Sequence, residues 1–192
     1  GLDRIGPDGR SEASRLLEAA RRAGLTTCVD FVSSEDPEFA SKVGVALPFC
    51  DYLIINEMEA GRATGVIVRD AKGDLIEAGL LEAGERLLAA GVTKGAIIHA
   101  PEICFWFASG ASPIMTRSRP VDPHDIVSTV GAGDAFCAAV LYGLHENWPV
   151  EHICAVAHAA AAHCLAGATA TDGIPDMSVL LREAKETNPQ PA

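Results

Sequence analysis

Residues 125–136 read Asp-Ile-Val-Ser-Thr-Val-Gly-Ala-Gly-Asp-Ala-Phe, a strand-like β-branched run that ends in two glycines and opens into an Ala-rich stretch. Over 132–144 the apolar residues recur at helical spacing, so a helix begins at the glycines. The first turn of a helix carries N–H groups without intrahelical partners, and the aligned peptide dipoles add partial positive charge, which suits an anion. Gly131 and Gly133 have no Cβ, so a phosphate can approach the backbone closely. Asp134 conflicts with that, because its carboxylate would repel a bound phosphate. The conflict resolves if Asp134 takes a proton from a hydroxyl attacking a phosphoryl group held by the neighbouring amides. A carboxylate that merely caps a helix of small residues is the competing reading.

The rest of the chain alternates helices and strands. Ser11 caps a helix whose Leu16, Leu17 and Ala20 are expected inward, and Gly24 stops it. Residues 26–32 read as a strand rich in β-formers, with Asp30 near its C-terminal end, where open α/β sheets place ligands. A second strand, 51–55, runs into Asn56-Glu57-Met58-Glu59-Ala60. Acidic residues at that point can hold a hydrated magnesium ion, although Asn56 and Glu59 also have the spacing of a capping box. Residues 74–90 form an amphipathic helix with Leu75, Leu80, Leu81, Leu87 and Leu88 inward. Strands at 96–100 and 104–108 follow, then a hairpin turn into 113–116, so the sheet is locally antiparallel there. Helices over 132–144 and 150–165 are nearly free of charge on their inner faces, and Asp176 caps a last helix through Lys185. A helix feeding a buried strand predicts an α/β fold with a mostly parallel central sheet.

Composition narrows the partners. A net charge of −11 argues against nucleic acid and against an anionic membrane. The charge-free run over 153–170 is too rich in Ala for a membrane span and reads as a buried helix and its exit. The six cysteines, without a Cys-x-x-Cys pair, read as reduced core thiols of a cytoplasmic protein. One domain is expected over 1–186, with a disordered tail over 187–192. A dinucleotide-binding motif is excluded, since Phe136 stands where the third glycine would be and the motif falls late in the chain.

The stretch around Gly131 resembles the C-terminal signature of ribokinase-like (PfkB) carbohydrate kinases, Asp-Thr-x-Gly-Ala-Gly-Asp-x-Phe. Thr129, Gly131, Ala132, Gly133, Asp134 and Phe136 match, and Ser128 replaces the first Asp. Asn56 and Glu59 match the Asn-x-x-Glu motif that such kinases associate with magnesium and phosphate. The resemblance implies a three-layer α/β/α fold and transfer of phosphate from ATP, with Mg2+, to a hydroxyl of a sugar or sugar-like substrate. It implies Asp134 as general base and the amides of Gly131 to Asp134, through Ala132 and Gly133, as the anion hole. Thr129, Gly131, Gly133, His158 and Glu102 are the implied nucleotide contacts, Asn56 and Glu59 the metal residues, and Asp30 a substrate contact. Pro101-Glu102-Ile103-Cys104 departs from the Gly-rich turn of that family. The family's sugar-binding Gly-Gly segment and lid strands precede the equivalent of residue 1, so the chain corresponds to the nucleotide-binding portion, and in isolation it is expected to be inactive. A homodimer formed through that lid region, a nucleoside as substrate, and a truncated pseudokinase that only binds nucleotide are the further readings. Some relatives bind potassium through the first Asp of the signature, so a monovalent-cation requirement is doubtful with Ser128 there.

Overall fold

Strands β2 (Tyr52–Asn56) and β3 (Gly95–His99) are apolar along nearly their whole length, which requires cover on both faces. Leu53, Ile54, Ile55, Ala96, Ile97 and Ile98 are all fully buried. The two strands pair in parallel from Tyr52 opposite Gly95 to Asn56 opposite His99. Strand β1 (Cys28–Val29) pairs in parallel with the other side of β2. A parallel neighbour needs a crossover, and between β2 and β3 it is made by α3 (Glu57–Thr64) and α4 (Glu77–Ala89). Strands β4 (Ile103–Phe107) and β5 (Ile114–Arg117) follow through connections of residues 100–102 and 108–113, too short for a crossover, which makes this part antiparallel. The order across the sheet is β1-β2-β3-β4-β5. With helices around it, this is the ribokinase-like α/β architecture that the sequence implies.

The computed structural model describes residues 2–187, with the side chains of 2–185. The tail expected over 187–192 lies outside the described residues, apart from Thr187, where the last helix ends. Two compact units make up the chain, one of residues 1–100 with 105–113 and one of 101–104 with 114–192.

In the first unit, α1 (Glu12–Arg22) starts where the Ser11 hydroxyl accepts the Ser14 N–H at 3.1 Å. The short helix α2 (Phe39–Gly44) follows the loop after β1. Leu80, Ala83 and Leu87 of α4 are buried, and the Phe107 ring lies against Gly84, where a Cβ would come within 2.3 Å of ring carbons. Three expectations change here. Leu16 is 58% exposed and Leu81 37% exposed, while Leu17 is half-buried and Leu80 fully buried. Adjacent helical residues point about 100° apart, so one member of each Leu-Leu pair faces the core. The strand expected over 26–32 shrinks to β1. It is an edge strand with one neighbour, the Thr27 amide is spent on Asp51 Oδ2 at 3.0 Å, and Val32 is 88% exposed.

In the second unit, α5 (Ala132–His145) packs on α6 (Val150–Leu165), which also packs on α7 (Met177–Thr187) and β5. Phe136, Val140, Ile153, Cys154 and Val156 form its core, and Leu180 and Ala184 carry α7 onto it. The β-branched run before the glycines is not a strand. Ile126, Val127 and Val130 are exposed, and the amides of Val127 and Ser128 donate to the carbonyl of Leu165 rather than to a ladder. β-branched residues favour extended backbone, but a strand also needs a partner edge. All six cysteines are free, and Cys104 and Cys154 meet as buried thiols with sulfurs 3.7 Å apart. Among the described residues no helix is long and apolar enough to cross a membrane.

Candidate active site

Gly131 is the N-cap of α5 and has φ +87°, a left-handed conformation that L side chains adopt at a cost. Its hydrogens face Ala170, and a Cβ there would come within 2.4 Å of the Ala170 Cβ. Glycine is therefore required twice over. The next residues, Ala132, Gly133 and Asp134, occupy the first helical turn. Ala132 N donates weakly to Thr129 O at 3.4 Å, and Ala135 N donates to Gly131 O at 2.8 Å. Among the described residues no backbone acceptor lies within reach of the amides of Gly131, Gly133 and Asp134. Those donors are left unspent within the described chain. The Asp134 side chain is exposed in the same turn.

Behind the turn, Ser128 Oγ accepts the Val130 N–H at 3.2 Å, and Thr129 is exposed. Asp122 is engaged in capping, accepting His124 N–H at 2.9 Å. Asp125 is exposed. Glu102 lies exposed on the turn before β4, where its carbonyl accepts the Ser118 N–H. His158 is not on the helix surface. It is buried, its Nε2–H donates to Thr116 O at 3.3 Å, and its ring meets the edge of Phe136 at a centroid distance of 5.4 Å. Burial pushes its pKa down to about 4, against the opposing pull of the Thr116 carbonyl.

In the first unit, Asn56 ends β2 and caps α3 in a complete capping box. The Asn56 side-chain oxygen Oδ1 accepts the Glu59 N–H at 2.9 Å, and Glu59 Oε2 accepts the Asn56 N–H at 3.1 Å. The other carboxylate oxygen of Glu59 accepts the Ser33 hydroxyl at 2.6 Å, a residue that sequence reasoning missed because it follows β1, far from the motif. Glu57 is also buried, but Arg69 pairs with it at 2.8 Å. Glu59 is 4% exposed, and among the described residues no Lys, Arg or His nitrogen pairs with it. A buried carboxylate without a cation is costly. Each of its oxygens retains lone-pair capacity, and carboxylate oxygen is a hard donor, so the residues present fit a hydrated magnesium ion bound through its waters. Among the described residues no group of three or more His, Cys, Asp or Glu could hold a metal by itself. Asp30 directly follows β1 and is exposed.

The pfkB family carbohydrate kinase model matches residues 6–177, and the chain belongs to that family. It is 34% identical over 56 residues to 5-dehydro-2-deoxygluconokinase of Geobacillus kaustophilus (strain HTA426), a match covering 29% of this chain and 17% of that protein. Its fold matches that of Arabidopsis thaliana ribokinase complexed with ribose and ATP, with a TM-score of 0.74 and 25% identity over 91% of this chain and 52% of that one. Phosphofructokinase-2 from Escherichia coli, in complex with potassium, shares the fold at a TM-score of 0.71 and 18% identity, over 92% of this chain and 52% of that one. The chain thus spans about half the length of these solved relatives.

Proposed function

We propose that the protein transfers the γ-phosphoryl group of ATP to a hydroxyl of a sugar or sugar-like substrate, with Asp134 as general base. The observation that carries this is an exposed carboxylate in the same helical turn as amides that have no internal acceptor. The substrate oxygen forms a bond to the γ-phosphorus as the bridging P–O bond breaks and ADP leaves, and the hydroxyl proton passes to the Asp134 carboxylate. The amides of Gly131, Gly133 and Asp134 hold the phosphoryl oxygens as charge redistributes over them. Asn56 and Glu59 would hold magnesium, which when bound neutralises phosphate charge. Thr129 and Glu102, both exposed, are suited to line the nucleotide. His158, closed off by Phe136 and Thr116, instead supports α5 from behind. Family membership favours a sugar over a nucleoside, and Asp30, just past a strand's C-terminal end, is suited to the substrate side.

Asp134→Asn in the full-length enzyme tests this. Turnover should fall by on the order of 100-fold to 10,000-fold while ATP still binds. Near-normal turnover would remove Asp134 from the chemistry.

A further inference from the structure

The amides of Gly131, Gly133 and Asp134 can bind an anion only if the turn that carries them is held in place. Its backing comes from the last turn of α6 and from the loop after it. The amides of Val127 and Ser128 both donate to Leu165 O, at 2.8 and 3.2 Å. Gly131 lies against Ala170 with no room for a Cβ between them. Gly173 in turn rests on His163 O, where a Cβ would come within 2.2 Å.

At the centre of this arrangement is a side chain that the catalytic reading does not use. Cys164 is fully buried, and its sulfur lies 3.6 Å from Val130 O and 3.4 Å from Ala170 O. Val130 immediately precedes the N-cap glycine, and Ala170 is the residue packed on that glycine. Among the described residues no backbone N–H donates to either carbonyl. Two carbonyl dipoles that converge without a donor repel each other, and a hydrogen placed between them relieves that repulsion.

We propose that Cys164 is a positioning residue of the anion-binding turn: its single thiol proton, shared between Val130 O and Ala170 O, ties the turn to the loop after α6. This rests on the reading of the turn as a phosphoryl site. The thiol remains protonated in that setting, because burial first and the Asp134 carboxylate second push its pKa up. A cysteine serves here because its long C–S bond reaches both oxygens from one buried position, with a hydrogen to donate and a body apolar enough for the interior. The Ala-rich run of α6 gives no sign of this in the sequence. The role exists only once the loops on either side fold back.

The test separates the proton from the volume. Cys164→Val fills the space without a donor, Cys164→Ala removes both, and Cys164→Ser keeps a donor. In the chain of 192 residues, the amides of Val127, Ser128 and Val130 should exchange with deuterium about fivefold faster in the Val and Ala variants. The Ser variant should stay closer to the parent than either. Mg-ATP affinity, measured by calorimetry, should follow the same ranking. Exchange in Cys164→Val equal to that of the parent, or in Cys164→Ser as fast as in Cys164→Ala, would make the thiol a filler and overturn the proposal. If the Val variant fails to fold, the Ala and Ser pair decides it alone. Absence of ATP binding in every form, with the exchange ranking intact, would remove the phosphoryl reading and leave the positioning role standing.

Discussion

Asn56 with Glu59 and the glycine turn at 131–134 are both helix starts, and they use their first-turn amides in opposite ways. At Asn56 the cap is closed on itself, with the side chain of each residue bonded to the backbone of the other. At Gly131 the N-cap has no side chain to fold back, so the donors are left unspent. A helix end that satisfies itself is a structural element carrying a charge. One that does not keeps its donors open to water or a ligand. Capping needs a Glu or Gln and not specifically a negative charge, so the buried, cation-free carboxylate of Glu59 is more than the cap requires.

The contrast can be broken in several ways. The largest effect is the loss of turnover in Asp134→Asn given above, with no counterpart expected from any single change in the capping box. Next is Gly131→Ala. It meets both a left-handed φ and Ala170 at 2.4 Å, and should cost about 2–4 kcal/mol of stability. Gly65→Ala, at the other end of α3, shares the left-handed φ but has open space, and should cost about 1 kcal/mol. Urea unfolding of the two variants measures the difference, and equal losses would mean that Ala170 yields freely.

Acid should weaken the unit that carries the turn through His158. Its pKa is about 4 in the folded chain, below its ordinary value, so the unfolded chain binds the extra proton between the two. Stability from this group is full above about pH 6.5 and is lost as pH falls toward 4, by on the order of 3 kcal/mol in all. His158→Gln should flatten that slope in unfolding measured at pH 7 and pH 4.5. An unchanged slope would place the acid sensitivity elsewhere. Glu59→Gln should keep most of the capping box, costing less than about 1 kcal/mol, while raising the magnesium concentration needed for turnover. A stability loss as large as that of Glu59→Ala, without a change in magnesium requirement, would reduce the motif to a cap.

The smallest effect concerns Ser128, whose hydroxyl is engaged with Val130 N within the loop. Loss of a charged partner weakens an ionic contact by roughly tenfold to a hundredfold. Exchanging potassium for a bulky organic cation at constant ionic strength should therefore change turnover little. Strong activation by potassium would show that the serine does not disable such a site.

Family, fold class and the start of α5 were legible from residues alone, because each rests on local chemistry: the period of apolar positions, the Gly-Ala-Gly-Asp turn and the Asn-x-x-Glu spacing. Helix α6 has the expected bounds for the same reason. The sequence could not choose between Leu16 and Leu17 as the inward residue. Nor could it show that residues 126–130 lack a strand partner, or that Asp51 takes up the Thr27 amide. His158 is apolar-flanked in sequence, and only the approach of Thr116 and Phe136 makes it an interior residue. Ser33 at Glu59 and Cys164 beneath the glycine turn likewise act across gaps of 26 and 34 residues. Periodicity and turn chemistry act over a few residues and are written in the chain. Which donor meets which acceptor across such gaps is decided only when distant segments are packed together, because a hydrogen bond depends on ångström-scale placement.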